Sequence, residues 1–178
     1  MISHGTQATN DELGHEILKG KPELVFLRGE FGSGKTHTLT LFYNDCRKGR
    51  IKVKEGKGER KAVLVAIYQP LHALLSNPID FLEVMIQRLC TEVPSEYRDA
   101  VNKACSDAGR NLSEKDELLK RIHVWRTAAN TAVVNGVDAI VILLDELEES
   151  VTDYTKYVDG YARLFSILRE FTDRQIGP

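Results

Sequence analysis

Apolar residues along this chain occur either in short continuous runs or in longer stretches with helical spacing. Three runs, at residues 24–27, 62–68 and 139–144, are typical of strands buried on both faces of a parallel sheet. Helical stretches separate these runs, and such an alternation predicts an α/β fold with helices on both faces of the sheet.

The helical stretches carry apolar residues three and four positions apart. This spacing predicts helices at about 11–19, from Lys35 onward, and at about 79–90, 95–108, 113–134 and 154–173. Ser113 and Asp116 form a variant of the capping box at the start of the helix over 113–134. The glycine- and lysine-rich segment 47–61 is expected to be a connection between elements.

Composition limits the class of protein. A chain of 178 residues, 42% of them hydrophobic, is about the size of one globular domain. Its net charge of -2 gives no reason to expect a dedicated nucleic-acid binder. The three cysteines lack a CxxC pair, which argues against a disulfide framework or a zinc site. With no apolar stretch of membrane-spanning length, these features predict a cytoplasmic protein without membrane contact.

A glycine-rich segment follows the first apolar run and precedes a helix. It consists of Gly29, Glu30, Phe31, Gly32, Ser33, Gly34, Lys35 and Thr36, with His37 on the first helical turn. Glycines let backbone N–H groups approach triphosphate oxygens, and the helix dipole adds positive potential. Lys35 is expected to bridge the β- and γ-phosphates, and the Thr36 hydroxyl to bind Mg²⁺. The alternative, an ordinary glycine turn, is disfavoured by the strand–loop–helix order.

A second motif follows the third apolar run. The Asp145 carboxylate comes at the strand end where parallel sheets bind ligands, and is expected to reach Mg²⁺ through a coordinated water. Glu146 beside it can polarise a water for attack on the γ-phosphate. The alternative is that these carboxylates, with Glu148 and Glu149, only favour the start of a helix. Glu148 and Glu149 are expected to be solvated surface.

The two motifs together, at residues 28–39 and 143–148, resemble those of AAA+-related P-loop ATPases. The resemblance is greatest to ATP-binding proteins of bacterial phage-exclusion (BREX-type) systems and extends more distantly to origin-recognition ATPases. It implies a three-layer P-loop NTPase sandwich of ASCE type with ATP as the nucleotide. By that resemblance Asp145 is the magnesium residue and Glu146 the catalytic one, and the phosphates are bound by Gly32, Ser33, Gly34, Lys35 and Thr36.

Such ATPases continue into a strand with a polar sensor residue, an arginine finger and a helical lid. We therefore expect residues 1–178 to form one P-loop domain that is incomplete at its C-terminus, with 95–134 as a helical insertion. Two alternatives follow: the sequence is a fragment of a longer chain, or a second subunit, in a homo-oligomer or a larger complex, completes the site.

The segment 47–61 is strongly basic. Two acidic residues, Glu55 and Glu59, accompany eight basic ones: Arg47, Lys48, Arg50, Lys52, Lys54, Lys57, Arg60 and Lys61. A segment of this kind can bind DNA or RNA phosphates, whereas a solvated connection is the commoner alternative.

These features predict ATP hydrolysis coupled to conformational change or to assembly, with DNA contact in phage defence as one setting. The competing hypothesis is a nucleotide-gated interaction module that hydrolyses ATP poorly. A small-molecule kinase gains nothing from an Asp-Glu pair after the strand, and no NKxD-like sequence supports a guanine-specific switch.

Overall fold

The computed structural model describes residues 30, 32–55, 58–70, 78–111 and 116–145, together with 166 and 169. Its elements are α1 (Lys35–Arg47), β1 (Lys52–Glu55), β2 (Gly58–Lys61), β3 (Leu64–Pro70), α2 (Pro78–Glu92), α3 (Ser95–Asn111), α4 (Glu117–Val134) and β4 (Ala139–Asp145). The predicted helix at 11–19, the strand at 24–27 and nearly all of the helix at 154–173 lie outside the described residues. Residues 166 and 169 are helical.

A parallel pair of strands, β3 and β4, lies at the centre of the described part. Leu64 pairs with Ala139 at one end of the ladder, and Pro70 pairs with Asp145 at the other. The connection between the two strands includes α2, α3 and α4. A parallel pair requires such a crossover, because a short turn cannot return the chain to the same edge.

Helices pack on both faces of this pair. On one face, α1 contributes Phe42 and Cys46 to a core cluster with Leu64, Ala66 and Leu143. On the other face, α2, α3 and α4 form a larger cluster around Val65 and Ile67, with Phe81, Met85, Leu89, Val101, Trp125 and Ala128. Successive residues of a strand point to opposite faces, so Leu64 and Val65 enter different clusters.

Most predicted elements are present with small shifts at their ends. The strand predicted at 62–68 spans Leu64–Pro70 instead. The amide of Val63 donates to the Asp138 carboxylate at 2.8 Å. Its N–H group is therefore used by a side chain and not by the strand ladder. The strand predicted at 139–144 includes Asp145, which closes the ladder opposite Pro70.

The helix predicted at 113–134 begins at Glu117. Asp116 is its N-cap, because its carboxylate accepts from the amides of Leu118 and Leu119. The predicted capping box, with Asp116 inside the first turn, is therefore wrong. Among the helices within the described ranges, none has the length and apolarity needed to cross a membrane.

Candidate phosphate loop and magnesium site

The described part of the glycine loop is a left-handed turn that leads into α1. Gly32 and Gly34 have φ angles of 77° and 84°, a region that residues with a Cβ seldom adopt. The Ser33 amide donates to the Glu30 carbonyl at 3.1 Å, which closes a four-residue turn that contains Gly32. The glycines are therefore required by backbone conformation at these two positions.

Helix α1 begins without a side-chain cap or an acidic residue in its first turn. Gly34 occupies the N-cap position, where no side chain accepts a hydrogen bond. The amides of Thr36 and His37 lack an acceptor within the helix because they belong to its first turn. The first turn therefore contains no acidic side chain to complement the helix dipole, which suits an anionic ligand.

Three predicted site residues, Lys35, Thr36 and His37, lie in the first turn of α1. The Lys35 ammonium lies 3.2 Å from the Glu30 carbonyl oxygen and so sits over the loop. Thr36 and His37 are exposed on the first turn. The Thr38 hydroxyl donates to the Gly34 carbonyl at 3.1 Å, which ties the turn to the helix.

Asp145 lies at the carboxyl end of β4 and is only 7% exposed. One oxygen of its carboxylate accepts a hydrogen bond from the Tyr68 hydroxyl at 2.6 Å. Tyr68 is on β3 and pairs with Leu143 in the ladder. The short bond to a charged acceptor orients the carboxylate at the strand ends.

Tyr68 also connects Asp145 to α1. Its ring lies 6.1 Å from the Tyr43 ring, centroid to centroid. The Tyr43 hydroxyl donates to Glu92 of α2 at 2.9 Å, and burial together with this carboxylate raises the pKa of Tyr43. Sequence analysis missed Tyr68 as a site residue. Tyr68 is the last residue of the second apolar run and Asp145 directly follows the third. These similar positions at the ends of two buried strands were the available signal.

The donors present fit Mg²⁺ bound to a nucleotide. Magnesium in such sites takes one or two protein ligands and completes its shell with phosphate oxygens and water. The Thr36 hydroxyl could bind the ion directly and the Asp145 carboxylate through a coordinated water, and both groups are oxygen donors, which this hard ion prefers. The described residues contain no group of three or more His, Cys, Asp or Glu side chains that could hold a metal alone. Gly29, Phe31 and Glu146 lie outside the described residues.

The basic segment 47–61 is more ordered than the sequence predicted. Residues Lys52–Glu55 and Gly58–Lys61 form an antiparallel hairpin, so the expected plain connection is wrong. Several of its cations are in ion pairs: Arg47 with Glu92, Arg50 with Asp45, Lys52 with Glu59 and Arg60 with Asp138. These pairs neutralise part of the positive charge that would attract nucleic acid.

Comparison with known proteins found no matching family model, curated protein or solved structure.

Proposed function

We propose that this chain binds ATP with Mg²⁺ and hydrolyses it, as a P-loop NTPase of the ASCE/AAA+ type. Hydrolysis would be coupled to conformational change or to assembly of a larger complex in the cytoplasm. The observation that carries the proposal is the start of α1. There a turn with two left-handed glycines, an uncapped helix N-terminus and the Lys35 ammonium occur together.

Each residue has a stated role in this proposal. Backbone amides at the start of α1 bind phosphate oxygens, and Lys35 adds a positive charge beside the β- and γ-phosphates. Thr36 and Asp145 hold the magnesium ion, which neutralises charge on the phosphates. Glu146 polarises the attacking water, by its position next to Asp145 in the sequence. Adenine as the base rests on the resemblance of the two motifs to AAA+-related ATPases.

The layered arrangement supports the same proposal. Helices cover both faces of the parallel pair β3–β4, and Asp145 is at the carboxyl end of that pair, where open α/β sheets bind ligands. DNA as a further partner rests on the basic segment 47–61, whose three arginines are all in ion pairs.

Nucleotide binding is tested by Lys35→Ala, measured by titration calorimetry with ATP and Mg²⁺. Loss of a charge-assisted contact of about 3 kcal/mol should weaken binding about 100-fold. Lys48→Ala is the matched control, because Lys48 is an exposed lysine at the opposite end of α1. If the two variants bind ATP as tightly as the unchanged protein, the loop is not a phosphate site.

Hydrolysis is tested by phosphate release from saturating ATP. Removing a general base should lower the rate about 100-fold or more in Glu146→Gln, whereas Glu149→Gln should leave it unchanged. Equal rates for Glu146→Gln and the unchanged chain would remove the catalytic role of Glu146. Tight binding without release in the unchanged chain would instead identify a nucleotide-gated interaction module.

A further inference from the structure

Two cysteines lie side by side where α2 and α3 pack together, on the sheet face opposite α1. Cys90 is in the last turn of α2, and Cys105 is in the middle of α3. Their Sγ atoms are 3.4 Å apart and share a hydrogen bond. The short connection between Glu92 and Ser95 folds the two helices back on each other, and so brings together residues 15 positions apart.

The two thiols differ from the third cysteine in exposure and acidity. Cys90 and Cys105 are partly exposed, whereas Cys46 is buried in the cluster under α1. Burial raises the pKa of Cys46 to about 12. The hydrogen bond from Cys105 lowers the pKa of Cys90, and the same bond, followed by burial, raises the pKa of Cys105. Either sulfur can donate in this geometry, and the pKa directions make Cys90 the more acidic thiol, which favours it as the attacking sulfur.

No metal site accounts for this arrangement. A structural zinc site needs four ligands, and the described residues contain no third His, Cys, Asp or Glu placed to join the two sulfurs. A disulfide needs the sulfurs to approach from 3.4 Å to about 2.05 Å, which is a small movement of two side chains.

We propose that Cys90 and Cys105 are a modification site, where a low-molecular-weight disulfide such as glutathione disulfide oxidises the pair to a reversible intrachain disulfide. Cys90 attacks one sulfur of glutathione disulfide, forms a mixed disulfide and releases one glutathione thiolate. Cys105 then gives its proton to solvent and attacks the Cys90 sulfur, which releases the second glutathione. Two cysteine thiols are oxidised and one disulfide is reduced to two thiols, so the electrons balance.

Peptide mapping of the folded, full-length protein tests this assignment. The protein is incubated with glutathione disulfide, its remaining thiols are blocked with a maleimide, and it is digested with trypsin. Trypsin places Cys90 in peptide 89–98, Cys105 in peptide 104–110 and Cys46 in peptide 36–47. We expect peptides 89–98 and 104–110 to be joined and to separate on reduction, while peptide 36–47 stays free of disulfide.

Two variants identify the order of attack. Cys105→Ser should retain one glutathione on Cys90, because the resolving thiol is missing. Cys90→Ser should react with glutathione disulfide about tenfold or more slowly, because it lacks the more acidic thiol.

The unchanged protein gives the decisive result even if a variant folds poorly. The assignment is wrong if both thiols remain free in excess glutathione disulfide, or if the disulfides formed include Cys46 or join two chains. Neither result bears on nucleotide binding, which is measured separately at Lys35.

Discussion

At the scale of single residues, the Asp145 carboxylate is buried and accepts a hydrogen bond from a neighbouring side chain. A buried carboxylate needs hydrogen-bond donors, since leaving it without them costs several kcal/mol. The Tyr68 hydroxyl supplies one at 2.6 Å, from the neighbouring strand of the ladder. The bond fixes the plane of the carboxylate, so Tyr68 is a positioning residue for the proposed magnesium site rather than a ligand.

Tyr68→Phe is expected to raise the Mg²⁺ concentration needed for half-maximal ATP binding by about tenfold. Loss of an outer-shell partner of a metal ligand typically weakens metal binding by about 10- to 100-fold. The measurement is ATP affinity as a function of Mg²⁺ concentration, accompanied by urea unfolding of the same samples.

Tyr43→Phe is the control, because Tyr43 is also a partly buried tyrosine that donates to a carboxylate. Each variant should lose about 1 kcal/mol of unfolding free energy with its hydrogen bond. Only Tyr68→Phe should change the magnesium dependence. An equal shift in both variants would mean that Tyr68 acts through general stability and does not position Asp145.

At the scale of elements, one carboxylate joins three strands. Asp138, immediately before β4, accepts two hydrogen bonds from the Arg60 guanidinium of β2, at 2.7 and 2.6 Å. It also accepts from the amide of Val63, immediately before β3, at 2.8 Å. The hairpin β1–β2 is thereby attached to the amino ends of the parallel pair.

Asp138→Ala is expected to lower the unfolding free energy by about 1–2 kcal/mol at neutral pH, measured by urea unfolding. The Arg60 hydrogen bond, followed by the Val63 amide, lowers the pKa of Asp138 below its ordinary value of 3.8. A lowered folded-state pKa stabilises the protein above the ordinary value, and this stabilisation is lost as the pH falls through the folded-state value. The difference between Asp138→Ala and the unchanged protein should therefore shrink below about pH 4.

Asp45→Ala provides the comparison, since the Asp45 side chain is exposed to the same extent, 19%, and its carboxylate pairs with Arg50 at 3.3 Å. An ion pair with an arginine as exposed as Arg50 should contribute less than about 1 kcal/mol. If Asp138→Ala and Asp45→Ala have the same effect, the attachment of the hairpin through Asp138 adds no stability.

At the scale of the whole molecule, the sequence predicted those helices and strands whose formation depends on a local pattern of residues. The helix beginning at Lys35 and the strand before Glu146 are confirmed, because glycine conformation and continuous apolar runs act over a few residues. The site contact between Tyr68 and Asp145 joins residues 77 positions apart. It follows from the pairing register of β3 and β4, which no local pattern specifies.

The hairpin was missed for a related reason. Its second strand is exposed at all four positions, so it lacks the alternation of apolar and polar residues that indicates a strand. Its attachment comes instead from Asp138, 78 positions after Arg60. The cysteine pair was likewise invisible, because Cys90 and Cys105 belong to separate helices and meet only when α2 and α3 pack.

Helix α1 is packed more tightly in its second half than in its first turn. Its second half buries Phe42 and Cys46 and reaches Glu92 of α2 through Tyr43 and Arg47. Its first turn is largely exposed. A helix of 13 residues is a rod about 20 Å long. A tilt of about 5° around Tyr43, which lies about 12 Å along the helix from Lys35, would move the phosphate-loop end by about 1 Å, so we expect the contacts with Glu92 to influence where the phosphate loop lies.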